Sequence, residues 1–251
     1  MRHPPHKPSL SRHGHDDGKG WIHGIHPIHE ALRAGRRPVK TILLGREKED
    51  AETAPLLKLA RTLGVALQPS SRETLDHRFP GAVHQGIAAE VGPYPFVEIE
   101  TLAESPVIVI LDGIEDPHNF GAIVRAGVAL GVGGFVIAQQ RSAPVSAAAI
   151  KASAGALEHA RIAKVGGIPQ ALANLKREGR WLIGLAMAGD IPVAKLREYR
   201  PLGLVIGAEG EGLHRLAAER CDGLCSIKMH GPLESLNAAT AAAIAIHAAL
   251  A

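Results

Sequence analysis

An α/β fold built on a mostly parallel sheet is what this sequence predicts, from three observations. The apolar runs "PVIVIL", "GFVIAQ", "WLIGLAM" and "PLGLVIG" are continuous rather than alternating, as in strands buried on both faces. Amphipathic helical stretches separate them, so the strands connect through crossovers. Third, 46% of the 251 residues are hydrophobic but only 3% are aromatic, which favours tight helix–sheet packing around Ala, Gly and Leu.

Residues 1–20, "MRHPPHKPSLSRHGHDDGKG", combine breakers with little to bury and are expected to form a disordered His-rich tail. Neither these His residues nor His23, His26 and His29 stand at a ligand interval from a Cys or an acidic residue, so no metal site is read there. A small α/β domain is expected over residues 21–92. "IHPIHEALRAG" has helical spacing and a stop at Gly35, and "VKTILLG" is a strand. "AETAPLLKLARTLG" is an amphipathic helix ended by Gly64, followed by strand "VALQPS". "SRETLDHRF" opens with Ser70 or Ser71 as N-cap, and "GIAAEV" closes the unit as a strand. Residues 93–105, with two Pro, read as a linker.

The second domain is expected over residues 106–251. Strand "PVIVIL" leads to helix "GAIVRAGVALG", strand "GFVIAQ", helix "SAAAIKASAGALEHA" and a strand near "ARIAKV". Helix "IPQALANLKREG", strand "WLIGLAM", strand "PLGLVIG", strand "GLCSIKM" and the Ala-rich helix "SLNAATAAAIAIHAAL" complete it.

The net charge of +3 is spread over both halves and permits nucleic-acid binding without requiring it. Cys221 and Cys225 read as reduced thiols, since no second pair of ligands completes a zinc site. The chain is expected to be soluble and cytoplasmic, with no membrane span.

Polar chemistry beyond what a fold needs is concentrated in three stretches, each after a strand: "DPHNFGAIVRAG", "IGAEGEGL" and "IKMHGPLESLNAATA". The carboxyl ends of parallel strands are where such sheets bind ligands. In "IGAEGEGL" two carboxylates would repel a phosphate, and the spacing is neither a P-loop nor a dinucleotide fingerprint. The loop suits a cationic or uncharged ligand approached by the backbone. Ser235 and Asn237 both stand at the mouth of the last helix, where capping needs only one of them.

The three stretches, in this order, resemble the motifs of the SpoU/TrmH family of RNA ribose 2′-O-methyltransferases in the SPOUT superfamily. "HGIHPIHEAL", "GAVHQGIAAEV" and "RSAPVSAAAIKASAGALE" are similar to the branch that methylates a guanosine of 23S ribosomal RNA. The resemblance spans nearly all of residues 21–251. It implies a catalytic domain with a trefoil knot and an N-terminal RNA substrate-binding domain resembling a ribosomal protein. It also implies S-adenosylmethionine as methyl donor, RNA as partner and a homodimer; no metal is expected, on the residue spacing given above. By motif position Gly207, Ile227 and Leu236 would line the cofactor pocket, and Asn119, Arg125, Glu209, Ser235 and Asn237 would be the catalytic set. Arg36, Arg37, Lys40, Arg46 and Lys48 are candidate RNA contacts on the small domain. Lys228 stands where relatives often carry Pro. The competing readings are a transfer-RNA enzyme of the same family and a non-catalytic RNA-binding or ribosome assembly factor.

Overall fold

The computed structural model describes residues 20–45 and 50–251. Its first unit contains β1 (Gly20–His23), α1 (Ile25–Ala34), β2 (Val39–Leu44), α2 (Ala54–Thr62), β3 (Ala66–Pro69), α3 (Arg72–Arg78) and β4 (Ile87–Val91). The four strands form one sheet in the order β1-β4-β2-β3. Strand β4 is antiparallel to both its neighbours, and β2 and β3 are parallel. Helix α1 stops at Gly35, whose φ of 58° is a left-handed conformation that favours glycine. Helix α2 starts at Ala54 rather than Ala51, with Pro55 in the first turn, where a missing N–H costs nothing. Ser71 caps α3 by accepting from the Thr74 N–H at 3.0 Å.

The second unit holds β5 (Val107–Asp112), α4 (Pro117–Leu130), β6 (Phe135–Ala138), α5 (Ala147–Ala152), β7 (Ile162–Val165) and α6 (Ile168–Arg177). These are followed by β8 (Trp181–Leu185), β9 (Ile191–Pro192), β10 (Leu202–Gly207), α7 (Arg215–Arg220), β11 (Gly223–Ser226) and α8 (Ala238–Leu250). Seven strands in the order β7-β6-β5-β10-β8-β11-β9 make a sheet in which every pairing is parallel. All residues of β5 and β10 are buried, which their unbroken apolar runs require. On α8, Ala242, Ala245, Ile246 and Ala249 are fully buried, and the helix packs on α4. Small side chains let the two helices approach closely.

Three features depart from the sequence reading. The helix expected over "SAAAIKASAGALEHA" is split: α5 ends at Ala152, Ala154 and Gly155 take positive φ, and a 3-10 turn covers Ala156–Glu158. At the break a Cβ on Gly155 would lie 2.7 Å from Glu30 Cβ, so α1 of the first unit packs directly against this turn. Strand β9 and helix α7 have no counterpart in the predicted elements, being too short for a periodic signal. The helix after β5 begins earlier than expected, with Asp116 as N-cap, so Asn119 lies in its first turn rather than in a loop.

The two units are packed together. Tyr94, 4% exposed, donates its hydroxyl hydrogen towards the carbonyls of Leu157 (2.8 Å) and Ala160 (2.7 Å). Arg37 forms a buried two-pronged ion pair with Glu158, its Nε 2.8 Å from Oε2, and donates to the Gly92 carbonyl. The segment between the units is anchored as well, with the Val97 N–H donating to the Ile162 carbonyl at 2.9 Å.

Candidate active site

Strands β5 and β10 are neighbours and in register, with Gly207 opposite Asp112, so the two strands end at the same level. Beyond those ends the three polar stretches meet. Asn119 comes from α4, Glu209 from the loop after β10, and Asn237 from the start of α8. Glu209 Oε2 accepts from Asn119 Nδ2 at 3.1 Å and from Asn237 Nδ2 at 2.9 Å. Asn237 Nδ2 also donates to Asn119 Oδ1 at 2.9 Å. One carboxylate and two amides, 118 residues apart at the extremes, thus form a closed triangle. Asn237 caps α8 as well, its Oδ1 accepting from the Ala239 and Thr240 N–H groups.

Beside the triangle lies a cavity of about 1030 Å³. Gly207, Ile227 and Leu236 all line it, together with Glu209 and Ser235. Gly207 is there because nothing larger fits: a Cβ would lie 2.1 Å from the Gly212 carbonyl carbon, where the loop folds back on β10. Gly210 and Gly212 close that loop with φ of 81° and 70°. The wall is apolar where Ile206, Ile227 and Leu236 stand, and its charges are the acidic Asp190, Glu209 and Glu234 against the single cation Lys228. Such a set disfavours phosphate. It fits a small, partly apolar molecule with a positive centre, which is the chemistry of S-adenosylmethionine.

Arg125 stands apart from this group. Six residues beyond Asn119, it is displaced by about 9 Å along α4 and about 120° around it. It is exposed, does not line the cavity, and among the described residues its guanidinium makes no hydrogen bond or ion pair. The chain brings Asn119, Glu209 and Asn237 together, sets Ser235 beside the cavity, and leaves Arg125 on the surface.

A residue the sequence reading gave no role holds the glycine loop in place. Asp112, the last residue of β5 and 5% exposed, accepts from the His214 N–H at 2.8 Å and lies 3.0 Å from His214 Nδ1. The signal for it in the sequence is a carboxylate ending an otherwise apolar buried strand. Replacing Asp112 by Ala strands a backbone donor, at an expected cost of about 1–3 kcal/mol. Asp112→Asn keeps an acceptor and is expected to lose less. Chemical denaturation of the two variants tests this.

The candidate RNA contacts divide. Arg37 is 5% exposed and committed to Glu158, so it is not part of an RNA-facing surface; this corrects the expectation. Arg36 is half-buried and donates to the Ala160 and Pro95 carbonyls, which joins the units rather than presenting a free cation. Lys40 is exposed and pairs with Glu90 at 2.8 Å. Arg46 and Lys48 lie outside the described residues, as does the tail over residues 1–19. Burial pushes the thiols of Cys221 and Cys225 up to about 12, so both stay protonated at neutral pH. Among the described residues no cluster of three or more His, Cys, Asp or Glu is placed to hold a metal, and no helix is long and apolar enough to cross a membrane.

Comparison with known proteins identifies relatives of the chain. Residues 106–247 match the model of the SpoU rRNA Methylase family, and residues 21–97 match the one described as RNA 2′-O ribose methyltransferase substrate binding. The chain is 36% identical over 235 residues to the 23S rRNA (guanosine-2′-O-)-methyltransferase RlmB of Escherichia coli K12, covering 91% of this chain and 97% of that protein. A similar protein from Photorhabdus laumondii, also a 23S rRNA (guanosine-2′-O-)-methyltransferase RlmB, is 35% identical over the same length. Among solved structures, the SpoU methyltransferase AviRb of Streptomyces viridochromogenes in complex with AdoMet superimposes with a TM-score of 0.77 at 26% identity. That match covers 92% of this chain and 88% of AviRb.

Proposed function

The chain belongs to the SpoU rRNA methylase family, and from that premise we propose that it methylates a ribose 2′-hydroxyl of RNA, at a guanosine of 23S ribosomal RNA. The observation that carries this is the triangle of Asn119, Glu209 and Asn237 at the mouth of an apolar, acid-rimmed cavity. S-adenosylmethionine, when bound, supplies an electrophilic methyl group on a positively charged sulfur.

Gly207, Ile227 and Leu236 would hold the cofactor by close backbone approach and apolar packing. The Glu209 carboxylate fixes both Asn amides and puts negative charge beside the cavity. With the Ser235 hydroxyl, these amides position the ribose, and positioning supplies much of the rate. As the bond between the 2′-oxygen and the methyl carbon forms, the sulfur–methyl bond would break, the sulfur would leave as a neutral thioether and the 2′-oxygen would lose its proton. A guanidinium has no lone pair free to accept a proton, so a base role does not suit Arg125. It grips the phosphate next to the target ribose, and an oxygen of that phosphate takes the proton.

Because Arg125 lies away from its own chain's cavity, the proposal includes a homodimer in which a second copy brings it to the site. The Ala-rich face of α8 is already spent on α4, so the dimer contact uses the outer face, where Ile244 is 39% exposed. The knotted threading implied by the family resemblance and a cytoplasmic location belong to the same proposal.

The test incubates ribosomal and transfer RNA from cells lacking this gene with the protein and methyl-labelled S-adenosylmethionine. Label is expected in a ribose of the large-subunit RNA. Label in transfer RNA alone would overturn the substrate, and none anywhere would point to a non-catalytic RNA-binding or assembly factor. A further expected result concerns Gly207→Ala. Its methyl group meets backbone at 2.1–2.4 Å, and such overpacking costs about 1–3 kcal/mol. Calorimetry should show cofactor binding weakened roughly ten-fold or more, since that strain displaces the cavity wall.

A further inference from the structure

The small unit carries a second built surface, away from the triangle. Trp21 on the edge strand β1 and Phe79 after α3 have ring centroids 5.7 Å apart. Both rest on a miniature core of Leu43, Leu75 and Ala88. Arg78 lies across them, its guanidinium carbon 4.1 Å from the centre of the Trp21 ring and 5.8 Å from that of Phe79. His23, on the same side of β1 as Trp21, brings its ring to 6.0 Å from Phe79. Arg78 is exposed, and among the described residues it makes no hydrogen bond or ion pair. A cation placed over an aromatic ring but left without a carboxylate keeps its donors free.

The neighbouring loop links this surface to the large unit. Val83, 67% exposed, accepts through its carbonyl from Lys151 Nζ on α5. Helix α5 in turn packs on α4 at Gly121, one turn before Arg125. The chain has only two Trp and four Phe, and one of each packs on this small core with an unpaired Arg lying over it.

We infer that Arg78, supported by Trp21 and Phe79, is a stacking platform for an unpaired base of the RNA substrate, a subsite that selects a splayed loop over a continuous duplex. This rests on the RNA-methylating reading above. A guanidinium plane stacks on any nucleobase, and its edge donors reach base or phosphate acceptors. The platform would anchor the substrate through the small unit while the ribose enters the site of the large one.

The test uses the full chain with Trp181→Phe, leaving Trp21 as the only tryptophan. The probes are a synthetic RNA hairpin with an unpaired purine-rich loop and the same hairpin with abasic loop positions. The intact loop is expected to change Trp21 fluorescence, and the abasic one is not. Arg78→Gln, an exposed change that spares the rings, is expected to weaken binding of the intact hairpin about ten-fold and of the abasic one hardly at all. Its affinity for S-adenosylmethionine should be unaltered. Equal losses for the two hairpins would make Arg78 a phosphate contact and overturn the platform, as would an unchanged fluorescence. These readouts need no methyl transfer. Failure of the enzymatic reading would appear separately, as absence of labelled RNA with the unmodified chain.

Discussion

Arg125→Ala is expected to lower methyl transfer about 10²–10³-fold while leaving S-adenosylmethionine binding unchanged, the scale of losing a group that stabilises developing charge. The dissociation of the two effects follows from position: Arg125 makes no contact with the cavity of its own chain. Arg125→Lys discriminates less well, since both side chains are cations: a phosphate grip keeps part of its strength with a Lys point charge and loses the two-pronged geometry. The measurement is single-turnover transfer to ribosomal RNA beside cofactor calorimetry. Near-normal turnover in Arg125→Ala would remove this residue from the mechanism. If the site is shared between copies, mixing Arg125→Ala with a cavity-disabled chain should restore part of the activity, because one of the mixed sites then has both halves intact.

The second large effect falls on stability. Arg37 and Glu158 have side chains 1% exposed and bridge the two units. Removing one partner leaves a buried charge alone, so Arg37→Met is expected to cost about 3–5 kcal/mol. Replacing both by apolar residues of similar volume should recover most of that loss, because a buried pair is itself held against a large desolvation penalty. Denaturant unfolding of the single and double variants measures the difference. A single variant as stable as the parent would mean that the Glu158 carboxylate finds water or another partner when Arg37 is gone. Tyr94, whose hydroxyl serves carbonyls of the same 157–160 segment, would then be the stronger tie between the units.

Much of the site was legible because its chemistry is local. Gly-rich and acidic stretches after apolar strands announced themselves in "IGAEGEGL", and Ser235 and Asn237 stood at the mouth of a helix. What the sequence could not show is that β10 inserts between β5 and β8. That insertion, absent from any local pattern, puts Glu209 within hydrogen-bond reach of Asn119. The basic cluster misled for a related reason. Arg36 and Arg37 sit in a polar stretch beside Pro38, with every local sign of a solvated surface, yet the large unit covers them. The turn after α5 follows the same rule: nothing in "KASAGALE" shows that Glu30, more than a hundred residues away, packs against Gly155.

The double duty of Asn237 has an evolutionary consequence. Ser, Thr or Asp would cap α8 nearly as well, so selection for a stable chain alone would let the position drift among them. None of the three offers the pair of amide hydrogens that reach Asn119 and Glu209, and Asp would set a second carboxylate against the first. Variants at this position would therefore persist as well-folded proteins without an intact triangle. A lineage relieved of the reaction but still needing the fold is expected to change here early, before any of the glycines that shape the cavity.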